Sequence, residues 1–241
     1  MPADPAQVTV VLPTFNEREN LEPIVRDVTR HGYRVLVVDD ASPDGTGELA
    51  DDLAKEIPSV SVLHRTQKAG LGPAYAAGFR HAFSDGARII CEMDADFSHD
   101  PAALPSLVEA VDLGAELAIG SRYVEGGATP DWPLHRRLLS NGGNWYARHM
   151  LALPIGDATA GFRAYRAEEL MSLEAETCLA SGYAFQVEMT LRAVDQGLRI
   201  VEVPITFRDR REGTSKMGAK IVVEAMWLVT KWGVRRRVAG R

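Results

Sequence analysis

The chain has 241 residues, 46% hydrophobic and 25% charged, with a net charge of −6. These are the proportions of a soluble globular protein, long enough for one α/β domain with a substantial core. Residues 204–241 carry ten Lys/Arg against three Asp/Glu, a balance of +7, and residues 1–203 carry −13. So acidic a body argues against nucleic acid as ligand, and the basic tail suits an anionic surface, most simply a membrane.

In chain order, the N-terminus lacks the charged, apolar and small-residue pattern of a signal peptide. Apolar runs predict strands near residues 8–12, 34–38, 60–63, 87–93 and 116–120. Helical patterns lie near 19–31, 46–56, 70–84 and 102–112. This alternation predicts a single doubly wound, mostly parallel sheet with helices on both faces. Gly70-Leu71-Gly72 lacks a preceding strand and a third glycine, so it reads as a loop entering a helix rather than a dinucleotide fingerprint. Cys91 lies inside a buried strand and no metal spacing links it to Cys178, which predicts two reduced thiols.

Residues 121–145 read as a flexible segment followed by a basic helix with Arg136 and Arg137. Residues 157–164 are turn-rich, 183–194 read as a helix, 200–205 as a strand and 220–232 as a last helix. No linker separates two domains, so the expectation is one domain over residues 1–241 with an amphipathic, basic segment at about 217–241. The longest apolar stretch of that segment, 221–229, is broken by Glu224 and falls short of the ~18–20 apolar residues that span a bilayer. No transmembrane segment is expected.

Three of the predicted strands end in polar turns: Pro13-Thr14-Phe15-Asn16-Glu17, Asp39-Asp40-Ala41-Ser42-Pro43-Asp44-Gly45-Thr46, and Met93-Asp94-Ala95-Asp96. Ligands of open α/β sheets bind beyond the carboxyl ends of the strands. At i, i+2 in extended chain, Asp94 and Asp96 point to one side. Such a pair repels itself unless a cation intervenes, and hard oxygen ligands suit Mg²⁺ or Mn²⁺. Taken alone, such a pair reads better as a solvated acidic turn.

With Ala118-Ile119-Gly120-Ser121-Arg122-Tyr123, Trp132-Pro133-Leu134-His135-Arg136-Arg137-Leu138-Leu139-Ser140 and Phe207-Arg208-Asp209-Arg210-Arg211-Glu212-Gly213-Thr214-Ser215-Lys216, these blocks resemble those of family-2 glycosyltransferases. Within that family the set is similar to the dolichol-phosphate (polyprenyl-phosphate) mannose synthases, over roughly residues 8–220. The resemblance implies a GT-A-like nucleotide-sugar-binding fold and inverting transfer of mannose from GDP-mannose to a polyprenyl phosphate. It assigns Pro13, Phe15, Glu17, Val38 and Asp40 to the nucleoside, and Asp94, Ala95 and Asp96 to the metal–diphosphate. Arg210 and Lys216 fall to the departing diphosphate, and Arg122, Arg136 and Ser140 to the acceptor phosphate. Phe15 stands where the family often has tyrosine. Ser98 stands where many relatives carry glutamine, and its short hydroxyl reaches a metal only through water.

Two other readings remain open: a glucosyltransferase using UDP-glucose, and a non-catalytic adaptor binding lipid phosphate. A nucleotidyltransferase would need a glycine- and lysine-rich loop in place of residues 13–17. The expected location is the cytoplasmic face of a membrane, attached peripherally, with a membrane partner protein as a further candidate anchor.

Overall fold

Why the first strands read as unbroken apolar runs is plain from their burial on two faces. In the computed structural model, which describes residues 3–180, 182–209 and 219–238, strand β1 (Val8–Thr14) is an interior strand of a sheet. Val10 and Leu12 enter the core on one side and Val11 the core on the other, all fully buried. β2 (Arg34–Asp39) and β4 (Ile89–Glu92) flank β1 in parallel, with Val10 opposite Val35 and Cys91. β3 (Val60–His64) forms one edge and β7 (Ile200–Pro204) the other, beside β5 (Leu117–Ser121). The order is β3-β2-β1-β4-β6-β5-β7.

β6 (Arg163–Arg166) differs from the expectation, because it starts inside the turn-rich 157–164 and runs antiparallel between β4 and β5. Four residues, Arg-Ala-Tyr-Arg, carry too little apolar pattern to announce a strand. The sheet is therefore mixed, with parallel pairing at β3-β2-β1-β4 and at β5-β7. Arg163 is fully buried beneath it. Its guanidinium donates to the carbonyls of Ala158, Ala160 and Gln186 and to Thr190 Oγ1, at 2.7–3.4 Å.

Helices α1 (Arg18–Thr29), α2 (Thr46–Glu56) and α4 (Leu104–Asp112) bury one stripe each, with Leu21, Ile24, Val25 and Val28 the stripe of α1. α3 (Leu71–Ser84), α5 (Leu134–Leu151), α6 (Ala167–Ser172) and α7 (Tyr183–Asp195) supply the second core. α8 (Ala219–Val238) packs on α5 and α7 through Leu228, Val229 and Trp232. Its opposite face leaves Val223, Met226 and Trp227 exposed. No described helix is long and apolar enough to cross a membrane.

α3 lies very close to the sheet at Gly78, where a Cβ would sit 2.5 Å from Val11 Cγ1 and 3.0 Å from Val38 Cγ2. Both partners are fully buried in close-packed surroundings, so neither has room to yield. Gly78→Val is expected to cost at least about 1–3 kcal/mol, read as a lower urea midpoint with unchanged slope.

Candidate active site

Parallel pairing brings the carboxyl ends of β1, β2 and β4 to one edge of the sheet, and the chain turns sharply beyond each. Asn16, Ala41 and Phe97 take left-handed backbone there, with φ of 59°, 56° and 61°. Such a conformation costs a residue with a Cβ about 1–2 kcal/mol, and the cost is borne by cross-links between the loops. Ser42 Oγ accepts from the Asn16 amide at 3.1 Å, and Thr46 Oγ1 accepts from the Glu17 amide at 3.1 Å. Asp39 accepts from the Ser42 amide and hydroxyl and from Thr14 Oγ1. The polar block after β2 is thus largely internal scaffolding.

Beyond these turns lies a cavity of about 430 Å³. Pro13, Phe15, Glu17, Asp40, Asp94, Ala95, Asp96 and Arg122 all line it. At the β1–β2 end, Asp40 pairs with Arg65 and accepts from the Ala69 amide at 3.4 Å. Burial pushes the Asp40 carboxyl above its ordinary value, and the Arg65 charge opposes the shift. Lys68 Nζ sits 3.7 Å from the centre of the Phe15 ring, a cation–π contact on the flat face of that side chain.

Asp96 is buried and accepts from the Ser98 amide at 3.0 Å. Asp94 accepts from the Tyr75 hydroxyl at 3.3 Å, and its amide donates to His99 Nδ1 at 3.1 Å. His99 stacks on Phe162 at 4.9 Å, so the turn carrying both carboxylates is held by a packed ring. Two hard carboxylates fit a divalent cation. Among the described residues, no group of three His, Cys, Asp or Glu could enclose one, so an ion here would take further ligands from water and substrate oxygens.

Arg122, directly after β5, is the best-anchored of the described cations that line the cavity. Its Nε and Nη2 donate to Asp157 at 2.7 Å each, and Nη2 also donates to Thr159 Oγ1 at 2.7 Å. Its guanidinium carbon lies 5.1 Å from the ring centre of Tyr123, 5.7 Å from Trp132 and 5.5 Å from Phe207. Asp157 is fully buried, which alone would raise its pKa. The Arg122 charge and hydrogen bonds outweigh burial and hold the carboxyl below the usual carboxylate value.

Other residues singled out from sequence lie elsewhere. Val38 is fully buried in the core against Gly78, and Ser98 is buried beside the cavity with its carbonyl accepting from the Arg208 amide. On α5, Arg136 pairs with Asp209 and lies over Trp132, while Ser140 shares a 2.7 Å hydrogen bond with the Tyr123 hydroxyl. Arg210 and Lys216 lie outside the described residues. Lys68, Thr159, Gln186 and Glu224 also line the cavity but were not signalled by any motif. Asp157, at the start of the turn-rich 157–164, had only that turn signal.

The Arg122–Asp157 pair carries a pH signature. A carboxyl whose folded pKa is depressed contributes stability that is complete above its unfolded value, about 3.9 for Asp, and lost as the pH falls through the folded one. Asp157→Asn leaves a buried guanidinium uncompensated and is expected to cost about 3–5 kcal/mol at neutral pH. Urea unfolding from pH 7 to pH 3 is expected to show a constant deficit down to about pH 4, narrowing below it.

Comparison with known proteins places this geometry. A polyprenol monophosphomannose synthase from Mycolicibacterium smegmatis is 50% identical over 239 residues, covering 97% of this chain and 90% of that one. An undecaprenyl-phosphate mannosyltransferase from Micrococcus luteus is 51% identical over 238 residues, covering 97% of each. The fold is GT-A-like. A mannosyltransferase from Pyrobaculum calidifontis, solved with GDP-Man and Mn²⁺, superposes with a TM-score of 0.58 at 18% identity, covering 99% of this chain and 74% of that one. The model of glycosyl transferase family 2 matches residues 9–173, and by that match and those identities the chain belongs to glycosyl transferase family 2.

Proposed function

We propose that this protein transfers mannose from GDP-mannose to a polyprenyl phosphate, with inversion, as one catalytic unit over residues 1–241. The observation that carries the reading is the cavity itself, where the carboxylate pair Asp94 and Asp96, the Phe15–Asp40 end and the caged Arg122 share one space. The names of the two relatives at 50% and 51% identity supply the sugar and the lipid-phosphate class. GDP as the nucleotide rests on the motif resemblance.

In this reading Pro13, Phe15, Glu17 and Asp40 hold the nucleoside beyond β1 and β2. Asp94 and Asp96 would hold Mg²⁺ or Mn²⁺, which when bound neutralises the diphosphate of the leaving GDP. Arg122 supplies a fixed positive charge to the acceptor phosphate, and the Arg136–Ser140 face of α5 extends that site. Arg210 and Lys216 belong to the departing diphosphate.

A phosphate monoester, with a second pKa near about 6, is largely dianionic at neutral pH. One of its oxygens forms the bond to the anomeric carbon as the carbon–oxygen bond to GDP breaks. The electron pair leaves with GDP, and no proton moves. The protein therefore contributes alignment and charge compensation rather than a general base.

The acceptor's prenyl chain requires a lipid surface nearby. Leu134, Leu138, Leu139 and Trp145 of α5 are 57–71% exposed, and α8 adds exposed Val223, Met226 and Trp227. Arg137, Arg235 and Arg237 are also exposed on these two packed helices. Apolar side chains with adjacent arginines suit an anionic bilayer surface, which supports peripheral attachment on the cytoplasmic face. A membrane partner protein would add to that attachment.

The test is transfer by purified protein of mannose from GDP-mannose, or glucose from UDP-glucose, to polyprenyl phosphate. Mannose transfer is expected to require Mg²⁺ or Mn²⁺ and to fall by orders of magnitude in Asp96→Ala. Arg136→Ala is expected to raise the acceptor KM roughly ten- to a hundredfold and leave the donor KM unchanged. Undiminished transfer in chelator, or preference for UDP-glucose, overturns the assignment. In a separate measurement, Leu138→Glu and Trp227→Glu are each expected to reduce co-sedimentation with anionic vesicles without changing GDP binding.

A further inference from the structure

A buried amide without a partner stands in the wall of the cavity. Gln186, on the first turn of α7, is only 3% exposed, yet neither its Nε2 nor its Oε1 makes a hydrogen bond. It lies near enough to Glu92 to ease ionisation of that carboxyl, but without the distance and angle of a hydrogen bond. Buried amides are almost always satisfied, and leaving one unsatisfied is costly. Gln186 lines the same cavity as Asp94, Thr159 and Arg122.

Its placement is rigid. The Gln186 carbonyl accepts from the buried Arg163 at 3.0 Å and from Thr190 Oγ1 at 2.8 Å. Two residues on, Glu188 accepts from the amides of Leu179 and Ala180, at 2.9 and 3.2 Å, and so holds the segment leading into α7. Opposite Gln186, the chain carries glycine. A Cβ on Gly161 would come within 3.5 Å of Gln186 Nε2 and 3.8 Å of His99 Cε1, so glycine there keeps a side chain from packing directly on the amide. An orphaned donor–acceptor pair in the wall of a cavity suits a ligand that both accepts and donates.

We infer that Gln186 is a specificity-determining residue that hydrogen-bonds hydroxyls of the transferred sugar. The inference rests on the proposed sugar transfer and adds the side chain that reads the sugar. A primary amide offers N–H donors and a carbonyl acceptor on one plane, matching two neighbouring hydroxyls of a pyranose. Phe15 and Asp40 mark the nucleoside end beyond β1 and β2, whereas Gln186 shares the wall that also carries Asp94 and Arg122, where the sugar must lie between diphosphate and acceptor. A site built to bond a hydroxyl rejects the analogue that lacks it, because its own polar group is then left unpaired.

The experiment measures binding without acceptor, by calorimetry with Mn²⁺, for the wild type and Gln186→Leu. Ligands are GDP, GDP-mannose and GDP-mannoses deoxygenated singly at C2, C3, C4 or C6. In the wild type, at least one deoxy donor is expected to bind about ten- to a hundredfold more weakly than GDP-mannose. In Gln186→Leu that difference is expected to vanish while GDP affinity stays unchanged. Gln186→Asn, which keeps the amide but shortens it, is expected to recover part of the discrimination. Identical discrimination by wild type and Gln186→Leu overturns the inference, as does an equal loss of affinity for GDP and all donors. If the wild type prefers UDP-glucose, the donor assignment falls instead, and deoxyglucosyl donors decide Gln186 by the same comparison.

Discussion

A fully buried guanidinium, that of Arg163, is the constraint from which the rest of the site follows. Taking such a charge out of water costs several kcal/mol unless it is paired and its donors are satisfied. Here the donors reach two carbonyls of the chain entering β6, a carbonyl and a hydroxyl of α7, and the Tyr165 hydroxyl. Glu92, at the end of β4, is the opposing charge; burial pushes its carboxyl upward while Arg163 pulls it down. One cation thereby ties β6 and the chain before it to α7, and sets its charge against the end of β4. Those elements carry, within a few residues, Asp94, Thr159 and Gln186. Displacement of any of them would strand a buried polar group, so the cavity wall behaves as a single rigid piece.

A second buried cation completes the arrangement in a different way. Arg122 is paired with Asp157 on one side and surrounded by Tyr123, Trp132 and Phe207. The loop carrying Asp157 is itself anchored, since Glu202 of β7 accepts from the amides of Gly156 and Asp157 at 2.6 and 2.8 Å. Aromatic walls lower the local dielectric and strengthen the field that Arg122 presents. Opposite it, Asp94 and Asp96 concentrate negative charge. A cavity with opposite charges at fixed positions can align an anionic nucleophile and a diphosphate leaving group without reorganising during reaction.

The exposed helices extend this logic outward. α5 begins just after Trp132, whose ring meets Phe207, Arg122 and Arg136, and it carries exposed leucines over its first two turns. α8 lies on α5 and at the same time places Glu224 and Ala225 on the cavity wall. The elements suited to a lipid surface are therefore continuous with the site, a layout in which the polar end of a lipid can enter while its chain stays in the bilayer.

By itself, the sequence determined the elements whose signal is local. The apolar runs of β1, β2 and β4 are unmistakable because both faces of a central parallel strand are buried. The carboxylate pair at 94 and 96 and the polar turns after each strand could be read because parallel pairing must bring their ends to one edge. Tertiary structure decided what depends on residues far apart in the chain. β6 carries almost no apolar pattern and exists because β4 and β5 leave an antiparallel slot between them. Asp157 is 35 residues from Arg122, and no periodicity links them. The block after β2 looked like ligand chemistry, yet Ser42 and Thr46 bond to the neighbouring loop. Gln186 sits on a helix whose pattern is apolar, and only the assembled core shows its amide buried in the wall of the cavity. Strand, helix and turn are set by neighbouring residues, whereas burial of a polar group is set by whatever the fold brings against it.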